Sequence, residues 1–323
     1  MPPTGKTVDM NDMQAPPLNN THRPRMALLA GGASVVTVAI LIVIKLYATV
    51  QTGSASVLAS LIDSIVDANV SLMTFWAIHI SLKPADEDHR HGHGKIEGLA
   101  ALMQAAFIGG AGVFLLLESV GHFVGGGRLE ADNTVAIAIM VVSAVLSQSL
   151  VMVQKYTMKH APSLAVEADH AHYASDVFIN LGVVAVLLAI SAGAPAWLDP
   201  AFAVAVAIYL GLTVHKIAGK GLDMLLDREL TGDARERITK KVLSHKYVMG
   251  MHDLRTHKSG MRVFISFDIE LDPSLLLYNA HEIVREVEYE LLMDFPHAEI
   301  LIHADPHGDT YDTRHHVPGV HNA

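Results

Sequence analysis

The sequence contains no cysteine and few charged residues, and each deficit excludes some classes of protein and some kinds of functional site. None of its 323 residues is Cys and 17% are charged, against about 25% in soluble globular proteins. Without thiols there is no disulfide, no cysteine-based zinc finger, no iron–sulfur cluster and no thiol nucleophile. The formal net charge of −10 argues against general nucleic-acid binding, which needs a basic surface.

Two kinds of residue are abundant instead. Hydrophobic residues make up 51% of the chain, and together with the scarcity of charge they indicate a helical membrane protein with charged soluble parts. The chain also has 20 histidines. In the absence of thiols, imidazole and carboxylate groups are the side chains that hold divalent transition metals.

Six apolar stretches are long enough to cross a membrane as helices, which takes about 20 residues. The polar, Pro-rich residues 1–25 precede them and lack the apolar core of a signal peptide, which predicts a disordered cytoplasmic leader. Together the stretches predict a six-helix transmembrane domain over 26–220. The predicted spans are 26–47, 54–82, 96–123, 134–158, 162–192 and 196–217.

The distribution of Lys and Arg predicts the orientation, because cytoplasmic loops retain these residues. The leader and the loops after the second and fourth spans carry eight of them, whereas the opposite loops carry only Arg128. Both termini are therefore expected in the cytoplasm, with the chain in the inner membrane. Lys45, near the outer end of the first span, is expected to extend its ammonium to the interface. The eight cytoplasmic residues are Lys6, Arg23, Arg25, Lys83, Arg90, Lys95, Lys155 and Lys159.

The last third of the chain is predicted to be a small soluble domain over 221–309, followed by a His-containing tail, 310–323. Apolar residues alternate in 248–257, 261–271 and 298–304, which predicts three strands. Helical patterns cover 233–243 and 274–293. This αββαβ order predicts an α+β fold in which two helices cover one face of an antiparallel sheet.

Carboxylates and a histidine inside the predicted spans indicate a metal site. Asp63 and Asp67 lie four residues apart in the second span, and His172 and Asp176 have the same spacing in the fifth. Each pair shares one helix face. An Asp at the centre of a span costs about 2.5–3.5 kcal/mol, and a divalent ion held tetrahedrally by the four groups offsets that cost.

Two further groups of polar residues leave more than one interpretation open. Asp169 and His170 either line the entrance of the site or are solvated at a helix end. The segment PADEDHRHGHGK (84–95) combines acidic and histidine ligands and is either a metal-binding loop or a solvated one. Asp88 and His91 in this loop are secondary candidates.

Four stretches of the chain are distinctive: GSASVLASLIDSIVDANVSL, HGHGKIEGLAAL, EADHAHYASDV and LLDREL. They closely resemble the cation diffusion facilitator family, in particular its bacterial zinc and ferrous-iron efflux branch. The resemblance implies six membrane helices with a cytoplasmic ferredoxin-like domain, a homodimer, and export of metal in exchange for protons. It also implies that Asp63, Asp67, His172 and Asp176 form the transport site.

The resemblance assigns roles outside the membrane as well. It implies a second metal site in the loop, a pair of metal ions in the cytoplasmic domain at the dimer interface, and a charge interlock between Lys95 and Asp227. Asp268 departs from the pattern, because close relatives place His there; carboxylate still ligates zinc. The implied loop ligands are Asp86, His89 and His93, and the implied cytoplasmic ligands are His252, Asp268, His281, His303 and Asp305.

The sequence thus predicts a metal/proton antiporter, with Zn²⁺ favoured as substrate and Fe²⁺ second. Metal and protons compete for the same ligands, and His172 is the expected proton carrier. The cytoplasmic sites are expected to regulate transport. A non-transporting metal sensor or assembly scaffold is the alternative. A membrane enzyme is disfavoured, because four protein ligands leave no open metal position and no nucleophile motif is present.

Overall fold

The computed structural model describes residues 22–52, 55–125, 134–195 and 197–308. Nearly all of the predicted leader and all of the predicted tail lie outside the described residues. The chain divides into two compact units, the first made mainly of residues up to Asp227 and the second mainly of residues from Arg228 onward. The elements are α1 (His22–Thr52), α2 (Ala55–Ser81), α3 (Ile96–Gly125), α4 (Thr134–His160), α5 (Leu164–Ser191), α6 (Leu198–Leu225), α7 (Gly232–Leu243), β1 (Gly250–Ser259), β2 (Arg262–Leu271), α8 (Leu277–Asp294) and β3 (Ala298–Pro306).

The first unit consists of six long helices in its described part, one for each predicted span. Five of them, α1, α2, α3, α5 and α6, are long and apolar enough to cross a membrane. α4 has 27 residues, and the side chains of its first seven lie outside the described set. Large apolar side chains such as Leu117 and Leu212 are exposed on these helices. A helical unit with an apolar exterior is what a bilayer accommodates.

Small residues allow the helices of this unit to approach closely, as is usual between membrane helices. Gly98 on α3 and Gly221 on α6 face each other, and a Cβ added at either would lie about 3 Å from the other's carbonyl oxygen. Between α1, α2, α3 and α5 the buried core contains several alanines, including Ala27, Ala77 and Ala165. This close packing places polar side chains of neighbouring helices within hydrogen-bonding distance.

The second unit has the predicted αββαβ order and a three-stranded sheet with the order β1-β2-β3. Alternate residues of β2, from Ile265 to Leu271, are buried in one core with Ile238 of α7 and Val287 of α8. The period of two along β2 gives that strand one buried face. The fold class predicted from the sequence is therefore confirmed for both units.

The prediction of an all-antiparallel sheet was wrong, because β2 and β3 pair in parallel. A two-residue turn, Gly260 and Met261, connects β1 to β2, which only an antiparallel hairpin permits. Between β2 and β3 the chain passes through α8, and this crossover returns it in the same direction. The parallel register pairs Asp268 with His303 and Glu270 with Asp305.

Candidate metal centre

Three of the four predicted transport-site residues come together between α2 and α5. His172 Nε2 lies 3.0 Å from Asp67 Oδ1 and 3.6 Å from Asp176 Oδ2. One ligand atom from each of the three residues lies within 4.8 Å of the others. The side chains of His172 and Asp67 are only 13% and 14% exposed. Two carboxylates and an imidazole at this spacing are a donor set for a divalent transition metal.

Asp63, the fourth predicted ligand, lies one helical turn before Asp67 on the same face of α2. Its side chain is more exposed than that of Asp67. Within the described residues, the compact group of ligand atoms contains Asp67, His172 and Asp176 without it. Its role as a ligand stays a prediction, which requires its carboxylate to turn toward the other three.

The expectation that Lys45 only reaches the membrane interface was wrong. Its side chain is buried, and Nζ donates to the carbonyl oxygen of Ser60 at 3.0 Å and to Oγ of Ser64 at 2.6 Å. Both acceptors are on α2, next to the metal group. The ammonium interacts electrostatically with Asp63, Asp67 and Asp176, so one cation offsets part of their charge.

Formal charges in this region balance when a divalent ion is added. Asp63, Asp67 and Asp176 contribute three negative charges when ionised, Lys45 contributes one positive charge, and His172 binds metal as neutral imidazole. A doubly charged cation makes the sum zero. The low dielectric of a membrane makes such neutrality favourable, because an uncompensated buried charge is costly.

Neither interpretation of Asp169 was correct, since this residue is neither at an entrance nor solvated. Its carboxylate is 1% exposed and accepts three hydrogen bonds from other helices. Oδ2 accepts from Ser34 Oγ of α1 at 2.5 Å and from Gln154 Nε2 of α4 at 2.7 Å. Oδ1 accepts from Gln104 Nε2 of α3 at 3.1 Å. Sequence reasoning missed this network, whose only signal is the presence of amides in apolar spans.

The predicted loop ligands also come together, between α2 and α3. Asp86 Oδ1 lies 3.1 Å from His89 Nδ1, and Asp86 Oδ2 lies 3.3 Å from His93 Nε2. The backbone N–H of His89 donates to Asp86 Oδ1 at 2.6 Å and holds the pKa of this carboxyl below its usual range. The carboxylate is therefore ionised at neutral pH. Asp88 and His91 are exposed outside this three-residue group.

In the second unit, His252 lies between two predicted carboxylate ligands. Its Nδ1 is 3.6 Å from Asp268 Oδ2, and its Nε2 is 3.5 Å from Asp305 Oδ2. Asp305 Oδ1 lies 3.0 Å from His303 Nε2. The parallel pairing of β2 with β3 explains why residues so distant in sequence meet. The fifth predicted ligand, His281, is exposed near the start of α8, and the metal-binding groups found among the described residues do not include it.

Two residues beside this cluster were missed by sequence reasoning. His307 Nδ1 lies 2.7 Å from Glu270 Oε2, and Glu270 Oε1 lies 4.0 Å from His252 Nε2. Glu270 follows Asp268 by two residues on a strand, so the two share a face; this spacing was the available signal. Asp253 also groups with His252 and Asp268 within 4.8 Å.

The predicted interlock residues are in contact. Lys95 Nζ lies 2.9 Å from Asp227 Oδ2, and the two side chains are 43% and 45% exposed. Asp227 follows the end of α6 with a φ of 55°, a left-handed conformation that Asp tolerates better than most residues. This ion pair joins the residue just before α3 to the segment just after α6.

Comparison with known proteins gives matches over most of the chain. The family profile "Cation efflux transmembrane domain" matches residues 33–226, and "Cation efflux protein, cytoplasmic domain" matches residues 230–307. A cation-efflux pump FieF from Shewanella oneidensis is 44% identical over 86% of this chain and 93% of its own length. The FieF pump from Serratia proteamaculans is 40% identical over 87% and 93%.

Several solved structures of C-terminal domains match about a quarter of the chain. The metal-bound C-terminal domain of the CzcD transporter from Thermotoga maritima is 28% identical, with a TM-score of 0.23, over 24% of this chain and 92% of that chain. The profile matches and the identities to curated relatives cover both units. The chain is a multi-pass membrane protein that belongs to the cation efflux, or cation diffusion facilitator, family.

Proposed function

We propose that this protein exports divalent transition-metal ions from the cytoplasm across the inner membrane, with both of its termini in the cytoplasm. The observation that carries the proposal is the group of Asp67, His172 and Asp176, whose ligand atoms lie within 4.8 Å of one another between two membrane helices. Membership of the family and the cation-efflux pumps among the relatives also support export of metal ions rather than uptake. Transport needs no covalent chemistry, so the protein is not proposed to be an enzyme.

The ligand chemistry favours Zn²⁺ as substrate and Fe²⁺ second. With Asp63 included, the site offers three carboxylate oxygens and one imidazole nitrogen, which suit a tetrahedral ion at about 2.0–2.2 Å. A donor set without sulfur does not select strongly among first-row divalent metals, because raw affinity follows the general order of those ions. Zn²⁺ lies above Fe²⁺ in that order, so Zn²⁺ is the proposed substrate and Fe²⁺ the second.

Proton exchange follows from the same ligands. Metal binds ionised carboxylates and neutral imidazole, so binding releases protons and protonation releases metal. His172 is the proposed proton carrier, since imidazole is the side chain that usually changes charge near neutral pH. Because α2 and α5 supply the ligands, a small relative movement of these helices breaks the site, as alternating access requires.

The other clusters are proposed to regulate or support transport in a homodimer. Metal bound around His252, Asp268 and Asp305 would favour one arrangement of two cytoplasmic domains, and the membrane site would respond through a shift in populations. His281 would then complete the site from the dimer interface. The ion pair of Lys95 with Asp227 is proposed to interlock the helices near the dimer axis.

Flux measurements in proteoliposomes test this proposal. Purified wild-type protein should accumulate Zn²⁺, and to a lesser degree Fe²⁺, in vesicles with an outwardly directed proton gradient. The Asp67→Ala and Asp63→Ala variants, with ligand groups removed, should transport neither ion. A wild-type protein that binds metal but gives no flux above empty vesicles would instead identify a metal sensor or assembly scaffold.

A further inference from the structure

Helix α3 presents two buried polar side chains that the transport mechanism does not use. Glu97 and Gln104 lie seven residues apart, two helical turns, and therefore share one face of α3. Each is only 1% exposed. Polar groups are costly in such surroundings unless they are hydrogen-bonded, so their partners indicate what this face of α3 does.

The carboxylate of Glu97 joins the end of α2 to the start of α5. Ser81 Oγ, on the last residue of α2, donates to Oε1 at 3.0 Å. Ser163 Oγ and the backbone N–H of Leu164, at the start of α5, donate to Oε2 at 2.7 and 2.8 Å. One side chain of α3 thus holds both helices that carry the transport ligands.

The amide of Gln104 makes the same connection two turns further along. Its Nε2 donates to Thr74 Oγ1 of α2 at 2.5 Å and to Asp169 Oδ1 of α5 at 3.1 Å. Thr74 and Asp169 are themselves buried, at 0% and 1% exposure. The two bridges from α3 therefore join the same pair of helices at two heights.

The metal group continues this series. Asp67, Thr74 and Ser81 follow one another at intervals of seven residues on α2, so they lie along one helix face. On α5, Asp169 is followed by His172 one turn later. The contact of Asp67 with His172 at 3.0 Å is thus the next link between α2 and α5 after the two α3 bridges.

We propose that Glu97 and Gln104 are positioning residues that fix the separation and register of α2 and α5, and thereby the geometry of the metal group. The proposal rests on the proposed transport site. A metal ion requires ligand distances within about 0.2 Å of their preferred values, so a change in helix separation is felt directly at the ion. Side chains that orient metal ligands typically change metal affinity by about 10- to 100-fold when they are replaced.

The chain offers a matched control in Gln154 on α4. Its Nε2 also donates two hydrogen bonds, to Ser34 Oγ at 3.1 Å and to Asp169 Oδ2 at 2.7 Å. It is as deeply buried as Gln104. These two acceptors lie on α1 and α5, so the pair of bonds does not bridge α2 to α5. Gln104→Leu and Gln154→Leu therefore remove equal numbers of bonds with different consequences for the metal group.

Visible absorption of bound Co²⁺ tests the proposal in the full-length protein. The background variant carries Asp86→Ala and His252→Ala, so that the membrane group is the remaining metal site under study. Gln104→Leu should weaken Co²⁺ binding by about 10- to 100-fold and reduce the intense absorption typical of tetrahedral Co²⁺. Gln154→Leu should lose comparable thermal stability and keep both the affinity and the spectrum.

Glu97 supplies the second, independent pair of variants. Glu97→Gln keeps an acceptor for the start of α5 and a donor for Ser81, so its Co²⁺ affinity should stay within about threefold of wild type. Glu97→Leu keeps neither group, and its Co²⁺ affinity should fall by about 10- to 100-fold, as in Gln104→Leu. Equal Co²⁺ affinity and spectra in all four variants would overturn the proposal. Unchanged Co²⁺ binding in Asp67→Ala would instead overturn the proposed transport site, and so the two failures are distinguishable.

Discussion

Replacing Asp169 by Ala removes the shared acceptor of a buried network that joins four membrane helices. Ser34 of α1, Gln104 of α3 and Gln154 of α4 all donate to this carboxylate. All four residues are at most 1% exposed. The variant leaves one N–H of Gln104 and one of Gln154 without an acceptor, whereas Ser34 Oγ keeps the carbonyl oxygen of Ala30 at 3.2 Å. We expect a large loss of stability.

The size of the loss follows from the three bonds. Interhelical hydrogen bonds in membranes average about 0.6 kcal/mol, which sets a lower limit of about 2 kcal/mol for Asp169→Ala. Each buried donor left without an acceptor costs about 1–3 kcal/mol, which sets the upper end at several kcal/mol.

Asp169→Asn should cost much less, for a reason visible in the network. If the Asn oxygen takes the place of Oδ2, the bonds from Ser34 and Gln154 are kept. The Asn NH₂ then faces Gln104, whose Oε1 is buried without a hydrogen-bond partner. Rotation of the Gln104 amide pairs Oε1 with the new donor, so the net loss is about one bond, or about 0.6–1 kcal/mol.

Unfolding of purified protein in mixed micelles, by titration with a denaturing detergent, measures both variants against wild type. The expected order of stability is wild type, then Asp169→Asn, then Asp169→Ala, with the larger step between the two variants. Equal destabilisation by Asn and Ala would refute the hydrogen-bond reasoning and indicate that the charge of Asp169 is what matters. A loss below about 2 kcal/mol in Asp169→Ala, the lower limit set by three interhelical bonds, would refute the network itself.

Three further predictions concern the groups outside the membrane core. Because the pKa of Asp86 is held below its usual range, this carboxyl keeps its charge as pH falls from 7 to 5, and acid should weaken loop-bound Zn²⁺ only through the imidazole ligands, which bind metal when neutral. Asp86→Asn should therefore weaken Zn²⁺ binding by the same factor at pH 7 and at pH 5 in equilibrium dialysis; a factor that shrinks at pH 5 would contradict this reasoning. Lys95→Ala should cost less than about 1 kcal/mol of stability, because the pair with Asp227 is exposed. It should nevertheless lower the dimer fraction in analytical ultracentrifugation, and an unchanged dimer fraction would contradict the interlock. Asp268→His should raise Zn²⁺ affinity of the cytoplasmic cluster in calorimetry, since it adds an imidazole ligand beside His252; weaker binding would show that the carboxylate is required.

Much of the candidate metal site could be predicted from residue spacing within single helices and one loop. The four-residue spacing of Asp63 with Asp67, and of His172 with Asp176, places each pair on one helix face whatever the rest of the fold does. The loop ligands Asp86, His89 and His93 are also close in sequence, and local geometry brings them together. Hydropathy predicted the number of long helices, because bilayer thickness sets the length of an apolar segment that can span the membrane.

Interactions between elements were not available from the sequence. The position of Lys45 beside the metal group depends on how α1 packs against α2, and the burial of Asp169 depends on amides from α3 and α4. The parallel pairing of β3 depends on the crossover through α8, and it is this pairing that places Asp305 near His252. Glu270 and His307 were missed because their contact exists only once the sheet has formed.

Proton movement driven by a metal gradient tests the central claim most directly. Proteoliposomes loaded with a pH-sensitive dye and exposed to external Zn²⁺ should show proton exit from the lumen with wild-type protein, in proportion to metal entry. His172→Ala and Asp67→Ala should abolish both movements, because metal and protons are proposed to compete for the group between α2 and α5. Zn²⁺ entry without proton exit, or coupled movement that persists in either variant, would contradict the account.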